Sequence, residues 1–276
     1  SPRTRQVTAM ISSEQIDAFL QRGAVTIDTP LTADQIDRAS RALDRLLPQQ
    51  DPPRSRVSLT CSYYDEEVLE LIQHPFFEEV SKLVLRTGEV RLLQSAIITS
   101  FPQPGVEFSY DQHIDMQFTR SDLEAVPRRM VCSFFLWLTE VTDDRAPMMF
   151  RPGSHLSLIE EWERREQLRE VTPRVIGIKL ADLPELEFAQ PEPVLASAGQ
   201  VSVLTTAMVH GASVNTGDRP RKVVVITFHD AGLAIGLPGA QQETKAQYDR
   251  ELRRRLRPER VHIVTDHDSD EADSGT

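Results

Sequence analysis

A histidine and an aspartate two residues apart form the first pattern in this sequence that could do chemistry. His113 and Asp115 lie within residues 111–116, DQHIDM. Because side chains two apart along a β-strand point to the same side, a strand here would present an imidazole and a carboxylate together. These are two of the three ligands in the 2-His-1-carboxylate set that holds non-haem Fe(II) and leaves coordination positions open. Taken alone, so short a pattern is also compatible with an ordinary surface or core pair.

His210 offers the second histidine of such a set. It ends the apolar run Val201–Val209 and precedes Gly211, at a point where a strand would deliver a ligand to the mouth of a barrel. Enough sequence separates it from His113 for several intervening strands. A buried histidine with a structural role is the alternative interpretation of His210 by itself.

An arginine follows His210 across a turn. Arg221 comes eleven residues after His210 and directly before an apolar β-type segment. A hairpin of that size would return Arg221 to the strand beside the metal ligands, where a guanidinium can hold a carboxylate through two parallel hydrogen bonds. A solvated arginine in a basic turn is the alternative, and Arg219 could be mistaken for the functional residue.

The elements that must position these residues change in character along the chain. Capping-box patterns at Ser12 and Thr32 predict two opening helices, which end at Gly23 and about Leu47. A further helical stretch starts near residue 66 and is broken or restarted at Pro75. The later helices are predicted over 158–170 and about 244–256, and the β-segments over 24–27, 90–101, 129–141, 200–211 and 222–229. Helices first and strands afterwards, with one helical insert, predict a helix-buttressed β-sandwich or barrel.

The domain organisation is predicted to be simple. Residues 10–260 are expected to form one domain, and residues 1–9 and 265–276 flexible tails. The C-terminal tail is acidic and has no apolar anchors, which is typical of disorder. Residues 48–56 contain three prolines and are predicted to form a loop.

Composition limits the classes of partner. The chain carries 42 acidic and 31 basic residues, a formal net charge of −11, which argues against nucleic acid or an anionic membrane as the main partner. A small-molecule substrate fits better. Only two cysteines are present, and neither a disulfide framework nor a membrane span is predicted. The first residues lack the apolar core of a signal peptide, so a cytoplasmic location is expected.

The combined motifs resemble those of the phytanoyl-CoA dioxygenase family, which also contains ectoine hydroxylase. The family shares the pattern of His113-x-Asp115, a distal His210 and an arginine eleven residues later. Residues 135–141, a polar turn and residues 150–155 are similar to the family's strand, turn and PGSH segment. The resemblance extends over about residues 10–235 and is specific because both the order and the spacing of the motifs agree.

The resemblance implies a fold and an iron site. The fold is a mainly β double-stranded β-helix with buttressing helices, a jelly-roll barrel like that of the cupins. Fe(II) would lie near one open end of this barrel, held by His113, Asp115 and His210. In related halogenases a non-coordinating residue replaces the carboxylate ligand, so Asp115 favours hydroxylation or another C–H oxidation. His155 belongs to the PGSH turn and is expected to have a structural role.

The resemblance also implies co-substrates, namely 2-oxoglutarate and O₂. Arg221 would hold the distal carboxylate of 2-oxoglutarate. Ser133 occupies the position of a serine that contacts the co-substrate in ectoine hydroxylase, and Gln94 that of a pocket glutamine. The expected reaction oxidises an unactivated C–H bond of a small-molecule metabolite and releases succinate and CO₂.

Departures from the family pattern concern the substrate. Residues 156–192 match nothing in the family and are expected to form a mobile lid or rim, and Phe135 replaces a tryptophan of the phytanoyl enzyme. Two alternatives remain open at this point. One is a cupin-type metal dioxygenase that does not use 2-oxoglutarate, and the other is a relative that binds a ligand and has lost catalysis.

Overall fold

The computed structural model describes residues 10–165 and 173–269, and their strands form two antiparallel sheets. The strands are β1 (Ala24–Ile27), β2 (Arg56–Thr60), β3 (Val90–Ser100), β4 (His113–Gln117), β5 (Val131–Trp137), β6 (Met149–Phe150), β7 (Arg174–Lys179), β8 (Glu192–Pro193), β9 (Val201–Leu204), β10 (His210–Gly211) and β11 (Arg221–Asp230). The six-stranded first sheet has the order β1-β9-β5-β11-β3-β2, and the five-stranded second sheet the order β7-β4-β10-β6-β8. This is the mainly β jelly roll with flanking helices that the sequence predicts.

Most helices precede the main strands or follow them. They are α1 (Ser13–Arg22), α2 (Ala33–Leu46), α3 (Glu66–Ile72), α4 (Pro75–Leu85), α5 (Arg120–Glu124), α6 (Ser154–Arg164) and α7 (Gly239–Arg255), with short 3₁₀ turns at Leu180–Asp182 and Pro258–Ile263. The predicted capping boxes are present at Ser12 and Thr32, where each side chain accepts a hydrogen bond from the third helical residue. Pro75 starts α4, as expected of a residue that has no N–H to donate.

The two faces of the central strand β11 have different neighbours. Val224, Ile226 and Phe228 alternate along β11 and belong to the main apolar core, which α1 to α4 complete. Residues of opposite parity, among them Arg221 and Val223, point toward the second sheet. The helices therefore cover one face of the first sheet, and its other face points toward the second sheet.

The chain crosses between the two sheets where the sequence predicts an unbroken strand. The predicted β-segment 200–211 is wrong in its middle, because β9 belongs to the first sheet and β10 to the second. In the crossing, Thr205 N–H donates to Gly23 O at 2.9 Å and Thr206 O accepts from Asp115 N–H at 2.8 Å. Residues 205 to 209 therefore turn a corner of the jelly roll.

Strand β2 is an element that the sequence analysis missed. Its residues pair with β3 at the edge of the first sheet, with Arg56 opposite Ser100 and Thr60 opposite Ala96. Three of its five side chains are exposed, so the segment lacks the apolar run expected of a strand. The loop predicted over 48–56 therefore ends at residue 55, one residue before its predicted end, because Arg56 already belongs to β2.

Two other boundaries differ from the prediction. Helix α6 begins at Ser154, and the predicted helical residues 166–170 lie outside the described residues. Helix α7 begins at Gly239, five residues before the predicted start. Within the predicted C-terminal tail, His267 Nε2 lies 2.7 Å from the buried carboxylate of Asp249 on α7. The rest of the predicted tails, 1–9 and 270–276, lies outside the described residues.

Within the described ranges, no helix is both long enough and apolar enough to cross a membrane.

Candidate metal and co-substrate site

The second sheet brings the three predicted metal ligands together. His113 on β4 lies directly opposite His210 on β10, and the two ring centroids are 4.7 Å apart. Asp115 lies between the imidazoles, with its two carboxylate oxygens 3.2 Å from His113 Nε2 and 3.4 Å from His210 Nε2. One potential ligand atom from each residue lies within 4.8 Å of the other two. We refer to these three residues as the triad.

Backbone contacts hold Asp115 and His210 in place. The pairing of β4 with β7 is irregular between Ile114 and Met116, so Asp115 N–H donates instead to Thr206 O. His210 Nδ1 lies 2.9 Å from Met208 O, and because a carbonyl only accepts, Nδ1 must carry the proton. This contact leaves Nε2 of His210 as the atom that can bind a metal.

The family-like PGSH segment supports the strand that delivers His210. Ser154 Oγ accepts a 2.7 Å hydrogen bond from Val209 N–H, and Arg151 N–H donates to Val209 O at 2.8 Å. His155 lies away from the triad, with Nε2 2.8 Å from Leu20 O, and burial lowers its pKa to about 4. The segment thus has a structural role, as predicted, and His155 is not part of the triad.

Gly211 allows β10 to approach the chain before β4. A Cβ atom at this position would lie 1.8 Å from Asp111 O, far inside van der Waals contact. The strand that carries His210 therefore requires glycine as its next residue.

Electrostatics within the triad favour a charged carboxylate. Burial alone would favour protonated Asp115, but hydrogen bonds from His113 and His210 hold the pKa of that carboxyl well below its usual range. Burial would lower the pKa of His210, yet the hydrogen bond and charge of Asp115 raise it. An ionised carboxylate beside two imidazole nitrogens is a donor set suited to a divalent metal ion.

Arg221 lies at the predicted position near the triad. It is only 4% exposed, its Nη2 donates to Ser100 Oγ at 2.7 Å, and its Cζ lies 5.3 Å from the centre of the Trp137 ring. Its Nε is buried and has no hydrogen-bond partner among the described residues. Burial and the nearby charge of Arg56 lower the pKa of Arg221 to about 9. Arg219, in contrast, is largely exposed and lies beside Asp218.

A small cavity connects Arg221 to the metal ligands. It measures about 100 Å³ and is lined by the triad, Arg56 and Arg221, with Phe135 and Met148 among its apolar walls. We call it the triad cavity. The orphaned Nε of Arg221 and the carboxylate–imidazole donor set both fit a metal-bound diacid.

The sequence profile of the phytanoyl-CoA dioxygenase (PhyH) family matches residues 19–223. The chain belongs to this family. It is therefore a 2-oxoglutarate-dependent non-haem iron dioxygenase, with Fe(II) as its metal and 2-oxoglutarate and O₂ as its co-substrates. Among curated proteins, no sequence is similar enough to count as a match.

Solved structures with the same fold come from enzymes that bind these groups. The carbocyclase SnoK from nogalamycin biosynthesis is 18% identical with a TM-score of 0.62, over 86% of this chain and 90% of that chain. The epimerase SnoN, solved with Fe³⁺, α-ketoglutarate and a nogalamycin, is 15% identical with a TM-score of 0.58, over 89% and 90%. HygX from Streptomyces hygroscopicus, solved with nickel, 2-oxoglutarate and hygromycin B, is 14% identical with a TM-score of 0.57, over 80% and 88%. At these identities the likeness concerns the fold.

A second, larger cavity of this PhyH-family protein meets the triad cavity at Asp115. It measures about 600 Å³ and shares Asp115 and Phe135 with the triad cavity. Strand β7, which pairs with the ligand-bearing β4, contributes Val175 and its neighbours to the wall. Three residues of the insert 156–192 therefore line this cavity, and the role of the insert as a mobile lid or rim stays a prediction.

Part of the large cavity is built from residues outside the family match. Helix α7 and the turn before it supply residues 237–245, whereas the matched region ends at residue 223. Gln241, Thr244 and Lys245 give this wall a polar character. This wall therefore lies beyond the matched region.

Ser133 and Gln94 line the large cavity, not the triad cavity. Both pair with Thr227 on β11, and Ser133 Oγ lies 3.0 Å from Thr227 Oγ1. Thr227 lies six residues beyond Arg221 on the same strand, a separation of roughly 20 Å at 3.4 Å per residue. The contact of Ser133 and Gln94 with 2-oxoglutarate stays a prediction. Their position favours contact with a ligand in the large cavity.

Proposed function

We propose that this protein hydroxylates, or otherwise oxidises, an unactivated C–H bond of a small-molecule metabolite. In this proposal His113, Asp115 and His210 hold Fe(II), and Arg221 holds the distal carboxylate of 2-oxoglutarate. The observation that carries it is the buried Arg221 side chain, which lines the same cavity of about 100 Å³ as the triad and whose Nε has no hydrogen-bond partner among the described residues. A buried cation of this kind calls for an anionic ligand.

The residues of the site contribute binding and orientation. When bound, Fe(II) with 2-oxoglutarate and O₂ supplies the oxidising power, which is coupled to decarboxylation of 2-oxoglutarate to succinate. Arg221 can donate two parallel hydrogen bonds to a carboxylate. Such a contact sets the orientation of a bound diacid and also raises its affinity. The ring of Trp137 and the hydroxyl of Ser100 hold the guanidinium in place for this contact.

The substrate is inferred to occupy the large cavity. Its position beside Asp115 would place a bound molecule next to the metal, and a volume near 600 Å³ suits a ligand larger than a simple amino acid. The structures of SnoN with a nogalamycin and of HygX with hygromycin B support a small molecule as the ligand of this fold. Ser133 and Gln94 would then contact the substrate from the first sheet.

A coupled assay tests the proposal. The purified protein is incubated with Fe(II), ascorbate, 2-oxoglutarate and a panel of metabolites, and succinate and the oxidised product are measured together. We expect a substrate that stimulates succinate release in step with an oxygenated or desaturated product. His113→Ala should remove both. Product formation without succinate would favour a cupin-type dioxygenase, and ligand binding without either product would favour an inactive relative.

A further inference from the structure

A lysine on the last helix faces the large cavity. Among the described residues that line this cavity, only Asp115 and Lys245 are charged, and Asp115 belongs to the triad. The Lys245 side chain is 12% exposed, and a largely buried ammonium group calls for acceptors. Lys245 lies on α7, beyond the region that the family profile matches. Its role is therefore a property of this chain and does not follow from the family.

Two contacts fix the position of the Lys245 ammonium group. Nζ donates to Leu92 O at 2.9 Å and to Asp249 Oδ2 at 2.6 Å. Leu92 lies on β3 beside a bulge, where the pairing with β11 shifts between Thr227 and Phe228. An ammonium group has three N–H donors, so one of them has no partner among the described residues. The group is thus held in place with one hydrogen bond still to give.

Asp249 does not remove this positive charge from the cavity wall. Its carboxylate is 1% exposed and does not line the large cavity. The same oxygen, Oδ2, also lies 2.7 Å from His267 Nε2, so Lys245 shares it with a second partner. A ligand in the cavity therefore meets the ammonium group and not the carboxylate that supports it. A role limited to joining α7 to β3 would account for two of the three donors.

The register of the first sheet sets the distance between Lys245 and the metal site. Phe135, which lines both cavities, pairs with Val225 on β11, whereas Leu92 pairs with Phe228. Three residues of β11 separate these two levels, which corresponds to roughly 10 Å at 3.4 Å per residue. The free donor of Lys245 therefore lies well away from the place where the large cavity meets the triad.

We propose that Lys245 determines substrate specificity by binding a carboxylate of the substrate, roughly 10 Å from the carbon that is oxidised. This inference rests on the proposed function and names the substrate class, an amphipathic carboxylic acid. Met116, Val131 and Val175 line the cavity and suit the apolar body of such a molecule. One spare N–H, on a charge that Asp249 partly offsets, suits a singly charged carboxylate. A phosphate dianion would call for several cationic donors.

The test compares two probes that differ in the charge of one end group. Octanoate, whose extended chain spans about the required length, and octanamide are titrated by calorimetry under anaerobic conditions. The protein is first titrated with Fe(II) and 2-oxoglutarate, so that the triad cavity is filled and cannot bind the probe carboxylate. The variants are Lys245→Met, Lys245→Arg and the double variant Lys245→Met/Asp249→Asn, which removes both members of the buried ion pair together. Circular dichroism checks that each variant is folded.

Arg250→Met is the matched control. Arg250 is a cation of the same helix that binds the exposed Asp268 and does not line the large cavity. We expect the wild type and Arg250→Met to bind octanoate about tenfold more tightly than octanamide, or ~1.4 kcal/mol. Lys245→Met and the double variant should lose this preference while the Kd for octanamide stays unchanged, and Lys245→Arg should retain part of it.

Three results would overturn the inference. They are a wild type that binds octanoate no more tightly than octanamide or binds neither, a preference that survives in Lys245→Met, and an equal loss of both probes in the folded variants. Failure of the proposed function would be seen separately, as wild-type protein that does not bind 2-oxoglutarate in the first titration. The probe titrations need no turnover and therefore decide on Lys245 in that case too.

Discussion

His113 lies directly opposite His210 in the pairing of β4 with β10, and this single cross-strand register places both imidazoles beside Asp115. A slip of one residue in either strand would turn its ligand to the other face of the sheet. The site therefore depends on the register of two strands that are far apart in the sequence. Changes that disturb this register should affect metal binding before they affect the rest of the fold.

Gly211→Ala tests this dependence. The new Cβ would lie 1.8 Å from Asp111 O, so the two chains would have to separate. We expect a loss of stability of about 3 kcal/mol or more, together with much weaker Fe(II) binding. Urea denaturation and metal analysis of the purified variant measure the two effects.

Gly177→Ala is the control for that change, because it lies on β7 of the same sheet and a Cβ there would meet nothing within 4 Å. It should change stability by no more than about 1 kcal/mol. Equal stability and iron content in Gly211→Ala and the wild type would show that the close approach of the chains is not required.

The two arginines near the turn should behave differently. Arg221→Ala is expected to raise the KM for 2-oxoglutarate at least about tenfold, because a desolvated bidentate contact contributes more than ~1 kcal/mol. Arg221→Lys should also be harmful, since lysine cannot reproduce the planar fork. Arg219→Ala should leave this KM unchanged, because Arg219 is exposed beside Asp218. Steady-state kinetics at varied 2-oxoglutarate concentration provide the measurement. A larger rise in this KM from Arg219→Ala than from Arg221→Ala would show that Arg221 is the wrong arginine.

Acid stability should depend on Glu78, away from the site. Burial would raise the pKa of this carboxyl, but contacts with His262, Lys82 and Arg260 lower it to about 2. A depressed pKa stabilises the fold above the unfolded value of about 4.3, and this contribution disappears as the pH falls from there toward 2. Glu78→Gln should therefore cost about 3 kcal/mol at pH 7 and progressively less below pH 4.

Glu79→Gln is the control for the acid-stability prediction. Glu79 contacts the same Lys82 at 3.0 Å but is 37% exposed, so its removal should cost less than about 1 kcal/mol at any pH. Urea denaturation of both variants at pH 7 and pH 3 makes the comparison. A deficit in Glu78→Gln that stayed constant with pH would mean that its charge does not contribute to stability.

The sequence predicts the triad and Arg221 because their recognition depends on local rules. Two residues of a strand share a face, and a hairpin of known length returns the chain to a neighbouring strand. The order of the motifs along the chain then identifies the family, which the match over residues 19–223 confirms. The jelly roll with outer helices follows from the same information and is confirmed by the two sheets.

Features that depend on pairing between distant segments could not be predicted in this way. Strand β2 has a polar, exposed face, so Arg56 reads as part of a loop until its partner β3 is known. The position of Ser133 and Gln94 along the first sheet likewise depends on their register with Thr227. The apolar run before His210 does not reveal that the chain changes sheets within it.

The most direct test of the account is anaerobic binding of 2-oxoglutarate to the Fe(II)-loaded protein. Calorimetry measures the binding, and a spectrophotometer records the visible absorption that a 2-keto acid gives when it chelates Fe(II). The account predicts one Fe(II) per chain, saturable binding of one 2-oxoglutarate, and the appearance of this absorption. His113→Ala should lose the absorption while its circular dichroism spectrum stays that of the wild type. Wild-type protein that binds Fe(II) without developing the absorption, or a His113→Ala variant that develops it fully, would contradict the assignment of His113, Asp115 and His210 as the iron site.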